Sequence, residues 1–193
     1  MPTMSTQQKL IDSARRLIQT RGYNGFSYAD VAEQVQVRKA SIHHHFPAKA
    51  DLARAVVEES RAFFVEQART LAGTAFDPEG QLHMYTGYWE KCIADNSAPF
   101  CVAGMLASEL PTLPDELADS VRAHFRDLSN WLELVLTRGA QTGAFALQGS
   151  ARQEAEAFMA TVYGAMLAAR AFGEPRVFPD IVAGALKRLR PCA

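Results

Sequence analysis

A chain of 193 residues that is 48% hydrophobic can bury a sizeable core without disulfide or metal staples, and its length fits one or two small domains. Residues 1–20 are polar and amphipathic, the most apolar stretch (Ala155 to Phe172) is interrupted by Thr161 and Arg170, and the three cysteines are an odd number; no secretory leader, no membrane span and a reducing, cytoplasmic setting are expected. The formal charge of −1 conceals an asymmetry, because residues 1–57 carry eight Lys or Arg against four Asp or Glu while residues 58–193 carry twelve against seventeen, as expected if only a basic head meets phosphates.

In chain order, every segment reads as helix. Ser5 and Gln8 have capping-box spacing and open a first helix whose apolar face is Leu10, Ile11, Ala14, Leu17 and Ile18, ending at Gly22. Ser27 caps a second, with Asp30 three residues on and Val31, Ala32 and Val35 as its inward positions. A short connection through Gln36 and Val37 leads to a brief third helix from about Arg38 to His45, closed by Pro47. A long fourth helix, 49–71, uses Leu52, Ala55, Val56, Phe63 and Phe64. After a break at Gly73 to Pro78, Leu82, Tyr85, Trp89, Cys92 and Ile93 form one stripe. A short segment from Phe100 to Leu110 follows. Asp115 to about Thr142 forms the longest helix of the body, on Leu117, Val121, Phe125, Leu128, Leu132 and Val135. Segments 151–172 and 177–189 complete the chain. The fold class is all-α: an N-terminal three-helix head with a helix-turn-helix (1–52), then a helical bundle (53–193), with the fourth helix as connector.

Two short helices joined by a tight turn, the second small, polar and basic, suit a helix laid in the major groove. In Arg38-Lys39-Ala40-Ser41-Ile42-His43-His44-His45, Ile42 and then Phe46 point back towards Leu17, Val31 and Val35. Lys39, Ala40, Ser41, His43 and His44 are left for DNA. Ala40 permits close approach by being small; Lys39 and Ser41 donate to base or phosphate oxygens; Lys49 adds charge at the start of the next helix. Ser27 can cap its helix and donate to phosphate. Successive helical residues point about 100° apart, so His43, His44 and His45 cannot close on one metal. No metal or cofactor site is expected; phosphate contact by His43 or His44 is, with His45 packed or solvated.

The run Phe26-Ser27-Tyr28-Ala29-Asp30-Val31-Ala32, followed by Val37 through Leu52 with His45-Phe46-Pro47-Ala48-Lys49 at its centre, resembles the DNA-binding head of the tetracycline-repressor (TetR/AcrR) family over roughly residues 8–55. The resemblance implies an all-helical homodimer, a palindromic double-stranded DNA operator, and a body whose ligand occupancy moves the two heads. Three positions depart from the family pattern: Gln36 stands where Gly is usual, His43 where Tyr is usual, and Ala48 where Ser or Thr is common.

In the body, Tyr85, Tyr88, Trp89, Met105, Phe125, Trp131, Phe158, Met159 and Tyr163 either line an apolar cavity for a small organic effector or pack as core. Ala157, Ala160, Gly164, Ala165 and Ala168 allow close approach between copies, so 151–172 and 177–189 are expected to form the homodimer interface, although alanine-rich helices also occur inside monomers. Cys101-Val102-Ala103-Gly104-Met105 resembles a stretch in family regulators of electrophile and oxidant response. Cys101 is therefore a candidate sensing thiol or ligand contact, with Cys92 as a resolving partner, or else a small buried hydrophobe; Cys192 is expected to be exposed. A ligand-responsive repressor is the leading reading, and a thiol-based sensor the alternative. An enzyme is not expected, since no nucleophile with a partnered base and no phosphate loop are visible.

Overall fold

The computed structural model describes residues 4–73 and 77–191. Nine α-helices and no strand occur among the described residues: α1 Thr6–Arg21, α2 Tyr28–Val35, α3 Lys39–His45, α4 Lys49–Gly73, α5 Pro78–Ala94, α6 Val102–Ala107, α7 Asp115–Gln141, α8 Ala151–Phe172 and α9 Val177–Leu189, with a 3-10 turn at Leu110–Thr112 between α6 and α7. None is long and apolar enough to cross a membrane. Contacts divide the chain into two compact units, residues up to 64 with 100–124, and residues 65–99 with those from 125 onward. The first unit is thus larger than the head expected over residues 1–52.

The first unit begins with α1, whose N-terminus is capped by the Ser5 hydroxyl, which accepts from Gln8 N at 3.2 Å. Leu10, Ile11, Ala14, Leu17 and Ile18 are buried on one face, at the spacing the sequence shows. Val31 of α2, Ile42 of α3 and Leu52, Val56 and Val57 of α4 are buried in the same unit, and all of these residues are 8% exposed or less. Gly22 ends α1 at φ +75, a conformation that suits a residue without Cβ. The 100–112 segment packs on α1, and Gln19, itself buried, donates to the Phe100 carbonyl at 3.1 Å. This segment forms less helix than expected. Cys101 precedes α6 as its N-cap, and α6 stops at Ala107, after which Pro111 sits in the first turn of the 3-10 element.

The second unit is centred on α8 packed against α9. Ser150 and Gln153 form a capping box at the start of α8, and Gly173 in the left-handed region ends it. The inward stripe is Ala155, Phe158, Val162, Ala165, Met166 and Ala169, opposite Phe178, Val182, Ala185, Leu186 and Leu189 of α9. Ala165 was expected to face another copy; it is fully buried within the chain. Ala157, Ala160 and Gly164 are exposed, together with Leu167 at 60%, Phe172 at 71% and Ile181 at 38%. Near the end of α7, the Phe145 ring occupies the space a Cβ on Gly139 would need, so this helical glycine admits an aromatic plug.

Candidate nucleic-acid interface

The approach to α3 is built from α2. Ser27 caps α2: its Oγ accepts from Ala29 N at 3.2 Å, and Asp30 returns a carboxylate that accepts from Ser27 N at 2.8 Å and from Ser27 Oγ at 2.6 Å. These Ser27 hydrogen bonds, and secondarily Arg21 at 3.0 Å, hold the Asp30 carboxyl below the usual range. Since the one Ser27 hydroxyl proton is directed at Asp30, the expected donation to phosphate requires breaking that bond. α2 stops at Gln36, which adopts φ 59 and ψ 45 and donates its amide to Ala32 O. The turn is therefore the left-handed one that glycine favours, carried here by a residue with a Cβ at a cost of about 1–2 kcal/mol.

Ile42 is fully buried and Phe46 is 5% exposed, so α3 is anchored from behind as its sequence indicates; Val35 is half-buried. Arg38, Lys39, Ala40, His43 and His44 are exposed and Ser41 is half-exposed, which brings the candidate DNA contacts of this helix together on its open side. The end of α3 is fixed by Tyr28, whose hydroxyl donates to the Phe46 carbonyl at 2.8 Å. Burial first, then the negative charge of Asp51 and the neighbouring Tyr23, pushes the Tyr28 phenol up to about 12. The His43 ring stands edge-on to Tyr28 at 4.9 Å, and its Nδ1 lies 3.2 Å from the Pro47 carbonyl oxygen. A carbonyl only accepts, so Nδ1 carries the proton of that bond, which leaves Nε2 of the neutral ring as an acceptor. His44 and His45 stack edge to face at 5.5 Å, and His45 borders an open cleft with Asp51, Arg54, Glu58 and Glu116.

Lys49 is placed differently from the other candidates. Its Nζ donates to the carbonyls of Tyr23 at 3.0 Å and Phe26 at 3.1 Å, and lies 4.2 Å and 5.1 Å from the centres of their rings. Desolvation lowers its pKa, partly offset by Glu109. Two of its three donors are thus spent inside the head, and it positions the α1–α2 loop rather than standing open to phosphate. Ahead of it, the Ala48 amide donates to Asp51 Oδ2 at 2.9 Å, so a carboxylate already occupies this position at the start of α4.

Sequence reasoning missed Asp51 and Glu109. The Glu109 carboxylate accepts from Tyr23 N at 2.5 Å, from Asn24 N at 3.1 Å and from Asn24 Nδ2 at 3.0 Å. No helical period links residues some 85 positions apart, so only the tertiary fold reveals the contact.

Of the ligand-lining candidates, the second unit pairs Tyr85 with Trp131 at 5.5 Å, Tyr88 with Trp89 at 5.1 Å and Phe125 with Tyr163 at 5.1 Å between ring centres. Tyr85, Trp131 and Phe158 are buried, Trp89, Phe125, Met159 and Tyr163 are half-buried, and Tyr88 is 42% exposed. Cys101 and Met105 belong to the first unit. Cys101 is 4% exposed with its Sγ 3.9 Å from His124 Nε2, a placement that matches the buried-hydrophobe reading more closely than that of an accessible thiol. Cys92 is also buried, and Cys192 lies outside the described residues.

Residues 10–56 match the family model described as bacterial regulatory proteins, tetR family, and residues 78–184 match a tetracyclin repressor-like C-terminal domain. The structure is similar to the crystal structure of a TetR-family transcriptional regulator from Agrobacterium tumefaciens, at 49% identity and a TM-score of 0.93, covering 96% of this chain and 97% of that one. The sequence is similar to the biofilm operon icaADBC HTH-type negative transcriptional regulator IcaR of Staphylococcus epidermidis, 32% identical over 60 residues, 31% of this chain and 32% of that protein. It is also similar to the transcriptional regulator AcuR of Cereibacter sphaeroides, 28% identical over 114 residues, 56% of this chain and 51% of that protein. The chain thus spans between about a third and a half of the length of these two relatives. With a helix-turn-helix head and a helical body each matched by its own model, the chain belongs to the tetR family of bacterial regulatory proteins.

Proposed function

We propose that the chain is a ligand-responsive transcriptional repressor that works in the cytoplasm, binds a palindromic operator as a homodimer and is released by a small organic effector. The observation that carries the reading is the open side of α3, where Lys39, Ala40, Ser41, His43 and His44 stand on a helix anchored by Ile42 and Phe46. Negative regulation, as named for the Staphylococcus relative, supports repression. The exposed Ala157, Ala160, Gly164, Leu167, Phe172 and Ile181 support a homodimer through α8 and α9, because small residues permit close approach and the large apolar ones gain by burial. Two heads so joined read two major grooves about 34 Å apart, and an effector acts only through differential affinity for the arrangements that fit and do not fit them. The paired aromatics of the second unit support an apolar effector.

The test begins with a duplex selected by the purified protein from a random-sequence pool. Its affinity should fall steeply with salt, and Lys39→Ala should weaken binding and reduce the salt slope by about 1 per head. Selection of no duplex, or an unchanged slope in the variant, would overturn the reading of α3.

A further inference from the structure

We propose that Glu109, more than fifty residues beyond the helix-turn-helix, is a positioning residue for DNA binding: its carboxylate holds the α1–α2 loop so that α2 and α3 meet DNA in register. The inference rests on the DNA-binding reading above. The polar groups of this loop are taken from two directions. Its amides at Tyr23 and Asn24, with the Asn24 side chain, donate to the two Glu109 oxygens, while its carbonyls at Tyr23 and Phe26 accept from Lys49. Asn24 Nδ2 also donates to Thr112 Oγ1 at 3.1 Å, so the 3-10 turn adds a second tie. Gly22 completes the fit: a Cβ there would stand 2.6 Å from Glu109 Oε2, inside the closest approach that atoms tolerate.

Three N–H groups converging on one carboxylate are charge-assisted bonds, the strong kind. The loop they fix is also anchored by Tyr23 and Phe26, 8% and 4% exposed, and it leads through the Ser27 cap directly into α2. At its other end the 100–112 segment is tied to α1 through Gln19 and the Phe100 carbonyl. Displacement of this segment therefore pulls on the loop, and the loop aims the reading helix. Glu109 itself adds a negative charge, so its contribution to DNA binding is geometric and not an attraction for phosphate.

The experiment compares wild type, Glu109→Ala and Glu109→Gln for binding to the selected duplex and to a random-sequence duplex of equal length, with thermal melting and amide hydrogen exchange of the free proteins. Glu109→Ala should lose about tenfold in affinity for the selected duplex, with nonspecific affinity and salt slope preserved because the cations of α3 are untouched, and with faster exchange at Tyr23 and Asn24. Glu109→Gln keeps the side chain's length and one carbonyl oxygen and should lose less, which preserves the test if the alanine variant folds poorly. Equal loss on both duplexes would show a general destabilisation and overturn the inference, as would unchanged specific binding. If wild type selects no duplex at all, the DNA-binding reading itself has failed, and the inference falls with it.

Discussion

Lys49 Nζ lies 3.0 Å from the carbonyl oxygen of Tyr23 and 4.2 Å from the centre of the same residue's ring, so one ammonium at the start of α4 satisfies both the backbone and the aromatic face of the loop below it. A lysine that merely awaited phosphate could be removed from the free protein without consequence. Lys49→Met, which keeps the apolar stem, should instead lower the stability of the DNA-free protein by about 2 kcal/mol, from two charge-assisted hydrogen bonds and the ring contacts in a partly solvated site. Thermal melting without DNA reads this as a drop of several degrees. An unshifted melting temperature would return Lys49 to the role of a phosphate contact.

Gln36 carries the turn between α2 and α3 at φ 59. Two effects oppose each other on replacing it by glycine. Relief of the left-handed backbone is worth about 1–2 kcal/mol, while the greater freedom of glycine in the unfolded chain costs about 0.4–1 kcal/mol. Gln36 is exposed, so little packing is lost. Relief is the larger effect over most of these ranges, and Gln36→Gly should stabilise the protein by up to about 1.5 kcal/mol in denaturant titration. Destabilisation would mean that the glutamine side chain has a structural partner in the turn.

Much of this architecture is legible in residue order, for reasons that also explain what is not. Ser27 with Asp30, Gly22 and Pro47 mark helix ends because capping and backbone restriction are local, and α2 and α3 fall where these signals put them. The buried stripe of α8, Ala155, Phe158, Val162, Ala165 and Ala169, follows the helical period, and that period separates Ala165 from the outward Ala157, Ala160 and Gly164. Lys49 and Glu109 are different. Their partners are backbone atoms of the 23–26 loop, and meeting them depends on how α1, α4 and the 100–112 segment pack. A lysine at a helix start reads equally well as a phosphate contact until that packing is known.

Tyr28 couples the end of α3 to pH. Its hydroxyl donates to the Phe46 carbonyl, and its phenol is raised from 10.0 to about 12, chiefly by burial and then by Asp51. A raised folded value means that the folded state favours the protonated phenol. The associated stability is complete below pH 10 and is lost as pH climbs through about 12. Wild type should therefore lose melting temperature across that window, with part of the loss owed to Tyr23, which burial also raises. Tyr28→Phe should start about 1 kcal/mol less stable near neutrality, from the missing hydrogen bond, yet decline less steeply in alkali. Parallel melting curves for the two proteins across the window would exclude Tyr28 as a source of the alkaline sensitivity.

The start of α4 offers a stabilising change beside the proposed DNA-binding face. Ala48 immediately precedes the helix and has no side-chain oxygen to offer the exposed amides of the first turn; only the reciprocal half of a capping box exists, in the bond from the Ala48 amide to Asp51. Ala48→Ser supplies the other half. The residue is exposed, so the hydroxyl enters without displacing packed atoms, and completing the cap is worth about 0.5–2 kcal/mol. Because the first turn of α4 also carries Lys49, a firmer helix start should hold the α1–α2 loop more tightly. The variant is expected to melt higher, with slower amide exchange at Ala50 and Asp51, and to retain full affinity for the selected duplex. A higher melting temperature with weakened DNA binding would show that the head needs play at this junction; an unchanged one would show that Asp51 alone already satisfies the helix start.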